Sequence, residues 1–224
     1  MKKYNFLTNY NAVGYSFNRY KTSEAARKNV LLIHGWGVRA NSMERLALYL
    51  TQAGFQVWSY DYPTSKRSIP EHAKRFLELY RGEKIPSPLS VVTHSMGGLI
   101  LRHAMAQMSV MECCQLEAIV MLGPPNGGSR LAIPGRWSLV KKFNAALGDM
   151  APGAKALQIA APLWRPPIGI IAGRWDEKVA YGATALPEEY GAFQRIVVNS
   201  SHAGLRNPKH SGEMVLKFLR DKNF

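Results

Sequence analysis

Ser95 closes Leu89-Ser90-Val91-Val92-Thr93-His94, an apolar run of strand character. Behind it come Met96-Gly97-Gly98 and a helical pattern through Leu99, Ile100, His103, Ala104, Ala106 and Gln107. A strand that passes through serine into a helix must turn sharply, and that turn holds a hydroxyl out of the chain, where it can serve as a nucleophile. Gly97 is the small neighbour that lets strand and helix approach each other. Thr93 stands where the G-x-S-x-G pattern has its first glycine; it tightens the turn without altering its chemistry.

A serine hydroxyl needs a base that takes its proton near neutral pH, and imidazole is the usual one. Of the six histidines, His72 and His103 fall in helical stretches and His210 precedes the last helix. His94 sits inside the turn, its side chain expected to point away from the serine hydroxyl. His34 opens the turn His34-Gly35-Trp36-Gly37. His202 directly follows the last strand, in Val197-Val198-Asn199-Ser200-Ser201-His202. Loops after parallel strands gather at one sheet edge, the edge where Ser95 emerges, so His202 is the expected base.

The base needs a carboxylate to fix its tautomer and stabilise the imidazolium. Asp176, in Gly173-Arg174-Trp175-Asp176-Glu177-Lys178-Val179, is the expected one, and the side chain of its neighbour Glu177 is expected to project elsewhere. Charge developing on the attacked carbonyl needs N–H donors. The backbone N–H of Met96, at a helix start, and that of Trp36, between two glycines, are the expected pair. His34, Pro125, Trp137 and Trp164 are expected to touch substrate.

Apolar runs alternate with helical stretches, the pattern of a mostly parallel sheet with helices on both faces. Strands are expected over residues 12–20, 29–33, 55–60, 89–93, 117–122, 168–172 and 195–198, the first an antiparallel edge because its polarity alternates. Helices are expected over 43–53, 70–80, 97–107 and 212–220. Between 128 and 166 no strand pattern occurs, but helical pieces are expected over 138–147 and 154–161. A structureless loop of that length is improbable in a compact domain, so residues 129–165 are expected to form a helical, lid-like insertion over the sheet's C-terminal edge.

The 224 residues suit a single domain, residues 1–224, with a core large enough to need no disulfide or metal staple. Cys113 and Cys114 are adjacent and are expected to remain thiols in a reducing compartment. The N-terminal residues are too polar for a signal peptide and no stretch approaches a membrane span, so a cytoplasmic location is expected. Lys and Arg outnumber Asp and Glu 29 to 15, a formal charge of +14. The cations are scattered in pairs such as Lys66-Arg67 and Lys141-Lys142, without a basic arm or recognition motif, so nucleic acid is not an expected partner. Peripheral attraction to an anionic membrane surface is compatible with this charge.

The chain resembles the α/β-hydrolases of the bacterial lipase and esterase-like group. His34-Gly35-Trp36-Gly37 resembles their oxyanion loop, Thr93 to Gly98 their nucleophile elbow, and Asp176 to Val179 their acid-bearing turn. Tyr60-Asp61-Tyr62-Pro63, with Ser65 and Ile69, looks like a further segment of such hydrolases. Gly123-Pro124-Pro125-Asn126-Gly127-Gly128-Ser129 is similar to their G-T-P-N-x-G-S loop, with Pro124 in place of threonine. The resemblance implies an α/β-hydrolase fold and a Ser-His-Asp hydrolase of small-molecule or lipid carboxylic esters, requiring neither metal nor cofactor. Alternatives are a thioesterase or acyltransferase with the same triad, or a non-catalytic hydrolase-fold protein binding a membrane surface or a partner.

Overall fold

The computed structural model describes residues 7–12, 14–21, 28–82, 85–137, 140 and 144–224. Eight strands form one sheet: β1 (Leu7–Ala12), β2 (Tyr15–Arg19), β3 (Lys28–Ile33), β4 (Phe55–Asp61), β5 (Leu89–His94), β6 (Leu116–Leu122), β7 (Ile168–Gly173) and β8 (Gln194–Val198). Their order is β1-β2-β4-β3-β5-β6-β7-β8. The β1–β2 and β2–β4 pairs are antiparallel and the remaining pairs parallel. Among the described residues, six α-helices accompany the sheet: α1 (Glu44–Gln52), α2 (Ile69–Gly82), α3 (Met96–Met105), α4 (Val110–Cys114), α5 (Ala145–Asp149) and α6 (Pro208–Asp221).

Every residue of β5 is buried, and so are the last four of β3 and the last five of β6. Strands covered on both faces require such continuous apolar runs. Alternate residues feed two cores. Leu31 and Ile33 of β3 join Val91 of β5 with Phe76 of α2 and Leu99 and Ile100 of α3 on one face. Val30 and Leu32 join Val92 with Leu46 and Leu50 of α1 and Val215, Phe218 and Leu219 of α6 on the other. The spacing 215, 218, 219 is one stripe of a helix. Asn207 starts α6 by accepting the Lys209 N–H, with Pro208 in the first turn, where a missing N–H costs nothing.

Two expectations need correction. Residues 12–20 are not one strand: β1 and β2 form a hairpin that turns at Gly14, whose φ of 85° suits glycine, and β1 rather than β2 is the edge. Val13, within the expected strand, lies outside the described residues. Residues 154–161 form no α-helix, only a three-residue 3-10 turn, Lys155–Leu157. Pro152-Gly153 and Pro162 bracket this stretch, and the Ala156 carbonyl is bonded by His103 Nε2 at 2.8 Å, so it serves a tertiary contact instead of a helix ladder. Of the other expected piece, Val140 and α5 are the described helical parts; residues 138–139 and 141–143, including Lys141 and Lys142, lie outside the described residues.

The segment after Ser129 is held together internally and tied to the start of α2. The Ser129 N–H donates to Met150 O at 2.8 Å. Asp149 Oδ2 accepts the Ile69 N–H, at the start of α2, at 2.7 Å. Gly135 of the 3-10 helix Arg130–Arg136 packs so closely on α5 that a Cβ there would lie 2.5 Å from the Gly148 nitrogen.

Candidate active site

Ser95 links β5 to α3 with φ 52° and ψ −125°, a backbone state that residues with side chains seldom adopt. Its neighbours hold it there. The Ser95 N–H donates to Leu122 O at 2.8 Å, and Ser95 O accepts the Gly98 N–H at 2.9 Å. A Cβ at Gly97 would come within 2.5 Å of Ile33 O, and one at Gly35 within 2.9 Å of Ser95 Cβ. Gly97, the small neighbour expected from the sequence, therefore lets the start of α3 approach the end of β3, and Gly35 lets its loop approach the serine.

His202 and Asp176 meet across the ends of β8 and β7. His202 Nδ1 is 2.8 Å from Asp176 Oδ2, and both side chains are nearly inaccessible. The other carboxylate oxygen, Oδ1, accepts the N–H groups of Lys178 (2.9 Å) and Val179 (2.8 Å), which fixes its orientation. With Asp176 accepting, the imidazole proton stands on Nδ1 and Nε2 is left free of it. Gly123, at φ 53°, forms the floor of this pair: a Cβ there would lie 3.0 Å from Asp176 Oδ2 and 3.3 Å from His202 Nδ1. Glu177 bonds the backbone of His202 instead, its Oε2 accepting the His202 N–H at 3.1 Å.

His94 takes a part that its place in the turn did not suggest. Its Nε2 donates to His202 O at 3.0 Å, and the two rings are 4.7 Å apart. Burial pushes its imidazole well below the usual range, and the nearby His202, Arg206 and Lys178 act in the same direction. His94 is therefore a neutral buried strut under His202.

His34 does not reach the cavity, contrary to expectation. Buried and stacked 4.2 Å from the Tyr62 ring, it donates from Nδ1 to Gly35 O at 2.9 Å. That bond grips the carbonyl of the Gly35–Trp36 peptide, whose N–H end is the expected oxyanion donor. Beside it, burial works against the Asp61 charge, but bonds from His34, the Ala40 N–H and Arg39 outweigh it and hold the carboxyl at about 2.

A cavity of about 200 Å³ opens over these groups. Ser95, His94 and His202 line it together with Trp36, Pro125, Ser129 and Val179, and Leu131, Ala132, Leu147 and Met150 form an apolar wall. Met96 is buried behind Ser95 as the first residue of α3 and does not line the cavity. Trp137 and Trp164 are not wall residues either. Trp137 leaves the 3-10 helix in an extended conformation and is 66% exposed. Trp164 lies near the edge where strands begin: its neighbour Arg165 bonds Ala192 O, just before β8. The cations Lys178 and Arg206 are lining residues with no part in the sequence expectations, and Ser129, expected only as the end of a loop, also lines the cavity, its Oγ donating to Lys178 O at 2.6 Å. Their position in the loops that follow β6, β7 and β8 was the available signal.

The family described as a domain of unknown function (DUF7379) matches residues 4–165. No curated protein matches the chain. Among solved structures, the chain is similar to a lipase of Bacillus licheniformis in its mature form, with 13% identity, 89% of this chain and 94% of that one covered, and a TM-score of 0.67. It is also similar to an esterase of a Rhodococcus species, with 16% identity, 96% and 98% coverage and a TM-score of 0.67. A third similar structure is a putative thioesterase of a Silicibacter species, with 13% identity, 86% and 75% coverage and a TM-score of 0.66. At these identities the likeness concerns architecture, and the architecture is the α/β-hydrolase fold.

Proposed function

The chain belongs to the DUF7379 family, whose description assigns no activity, and from the geometry of its site we propose that it is a serine hydrolase of carboxylic esters, acting on small-molecule or lipid substrates. The observation that carries this reading is the Asp176–His202 pair at 2.8 Å beside the same cavity as a serine held at φ 52°. Ser95 Oγ attacks the acyl carbon while His202 Nε2 takes its proton. Asp176 keeps the tautomer and stabilises the imidazolium. The N–H groups of Trp36 and Met96 receive the developing oxyanion, a contribution of roughly 3 kcal/mol per donor. His202 returns the proton to the leaving oxygen, and water, activated by the same imidazole, then releases the acyl group from Ser95.

In this reading the whole chain acts as one hydrolase domain. Residues 129–165 serve as the cap, with Leu131, Ala132, Leu147 and Met150 receiving the acyl chain. The exposed Leu131, Ile133 and Trp137 of this cap, with the surplus of cations, favour contact with an anionic membrane surface. No helix among the described residues is long and apolar enough to cross a membrane. The similarity to a putative thioesterase favours one second reading, thioester hydrolysis by the same residues.

A fluorophosphonate should modify the protein once, at Ser95, and p-nitrophenyl esters from acetate to palmitate should be hydrolysed. Ser95→Ala should abolish labelling and lower turnover by several orders of magnitude with the fold intact. Near-normal turnover by the folded variant would refute the role of Ser95. Matched oxygen and thioesters of one acyl chain would decide between the two readings by kcat/KM.

A further inference from the structure

Two cations, Lys178 and Arg206, line the cavity, and among the described residues no carboxylate does. Arg206 is half-buried, and its Nε donates to Ala203 O, in its own turn, at 3.3 Å. Burial lowers its affinity for a proton, the signature of a guanidinium withdrawn from water. Among the described residues neither Arg206 nor Lys178 takes part in an ion pair within 4.0 Å. The two acidic residues just before Lys178 are already engaged: Asp176 holds His202 Nδ1, and Glu177 holds the His202 backbone N–H. Both cationic charges act on the buried His94 ring, which lies 4.7 Å from that of His202. The positive potential is thus concentrated beside the proposed base.

The side on which this charge lies is informative. Lys178 follows Asp176 after β7, and Arg206 follows His202 after β8, whereas Trp36 follows β3, on the other side of β5 in the sheet. The apolar wall comes from a third source, residues 131–150. In acyl transfer the imidazole must reach the oxygen that departs, so the leaving group occupies the His202 side of the scissile bond. Resting on the esterase reading above, we infer that the preferred substrates are esters whose leaving alcohol carries a negative charge, a carboxylate or a phosphate, bound by Arg206 and Lys178. Attack forms the Ser95 Oγ–acyl bond and breaks the bond from acyl carbon to leaving oxygen. That oxygen takes the proton that His202 had removed from Ser95, and the product departs as an anionic alcohol. Arg206 supplies a planar fork suited to either anion, and Lys178 a mobile point charge.

The test compares matched esters. The acetyl esters of meta-hydroxybenzoate and meta-hydroxybenzamide differ in charge on the leaving group, and butyryl glycerol phosphate and butyryl glycerol do so with a phosphate. At low salt kcat/KM for the charged member should exceed that of the neutral one by about tenfold in at least one pair, mainly through KM. The pair that shows it identifies carboxylate or phosphate. The ratio should fall towards one in about 0.5 M salt, where exposed charges are screened, and in the Arg206→Gln, Lys178→Gln double variant; Arg206→Lys should retain part of it. Equal kcat/KM values in both pairs for the unaltered protein, or a ratio that survives the double variant, would overturn the inference. If the double variant fails to fold, the salt dependence of the unaltered protein decides alone, and a ratio insensitive to salt overturns it. Labelling of Ser95 with hydrolysis of the neutral esters would show that the esterase reading survives such a failure. Absence of both labelling and hydrolysis would end both.

Discussion

Asp176 and Glu177 carry the same charge and differ by one position, yet one bonds the imidazole and the other the backbone of His202. Asp176→Asn should lower turnover of a short-chain ester by ~10⁴ through the wrong tautomer. Glu177→Gln should cost about tenfold or less, since it weakens one charge-assisted bond and leaves the tautomer alone. The reverse order of effects would make Glu177 the acid. Gly123 is as constrained as either carboxylate without offering a side chain. Gly123→Ala places a methyl at positive φ against both Asp176 and His202, so kcat should fall by about 10² with native circular dichroism. Unchanged turnover would show that the pair tolerates displacement. Ser95 and Asp176 were legible because each comes just after a fully buried apolar strand, and His202 because it follows β8, the last strand, which is only partly buried. Trp137 and Trp164 were not, because in irregular segments tertiary contacts decide where a side chain points.

At the scale of elements, the buried parallel strands were readable from their unbroken apolar runs, and α1, α2, α3 and α6 from their stripes. The hairpin escaped because an alternating pattern continues across its turn, and only Gly14 marks the reversal. The alanine-rich stretch at 154–161 has the composition of a helix, but His103 claims its Ala156 carbonyl. Local propensity yields to such contacts. The join between α5 and α2 gives a direct test. Asp149 caps the Ile69 N–H at 2.7 Å, and Leu147 and Met150 on either side of it line the cavity. Asp149→Ala should cost about 1 kcal/mol of stability in urea melts and raise KM for medium-chain esters more than it lowers kcat. A shift in kcat alone would detach this join from acyl binding.

The molecule as a whole should lose stability in acid in two stages. Burial holds the His72 imidazole down at about 4, against an ordinary 6.5. The folded state therefore resists its protonation, and the stability this contributes is complete above 6.5 and lost as pH falls from 6.5 to 4. The loss is on the order of 3 kcal/mol. Buried His94 acts in the same direction. Asp61, held at about 2, contributes in a lower window: its stabilisation is present above its ordinary 3.8 and disappears as pH falls towards 2. Urea midpoints should decline from pH 6.5 downwards and again below 4, and a flat profile between 7 and 4.5 would contradict the burial of His72.

The polarity of the sheet has one more consequence. The two cysteines of the chain lie on α4, Cys113 buried and Cys114 exposed, just before β6 begins. Strands begin at the edge opposite Ser95. A thiol-reactive bead coupled to the exposed Cys114 would therefore hold the molecule by its back, with the immobilised copies presenting their cavity to the bulk solution.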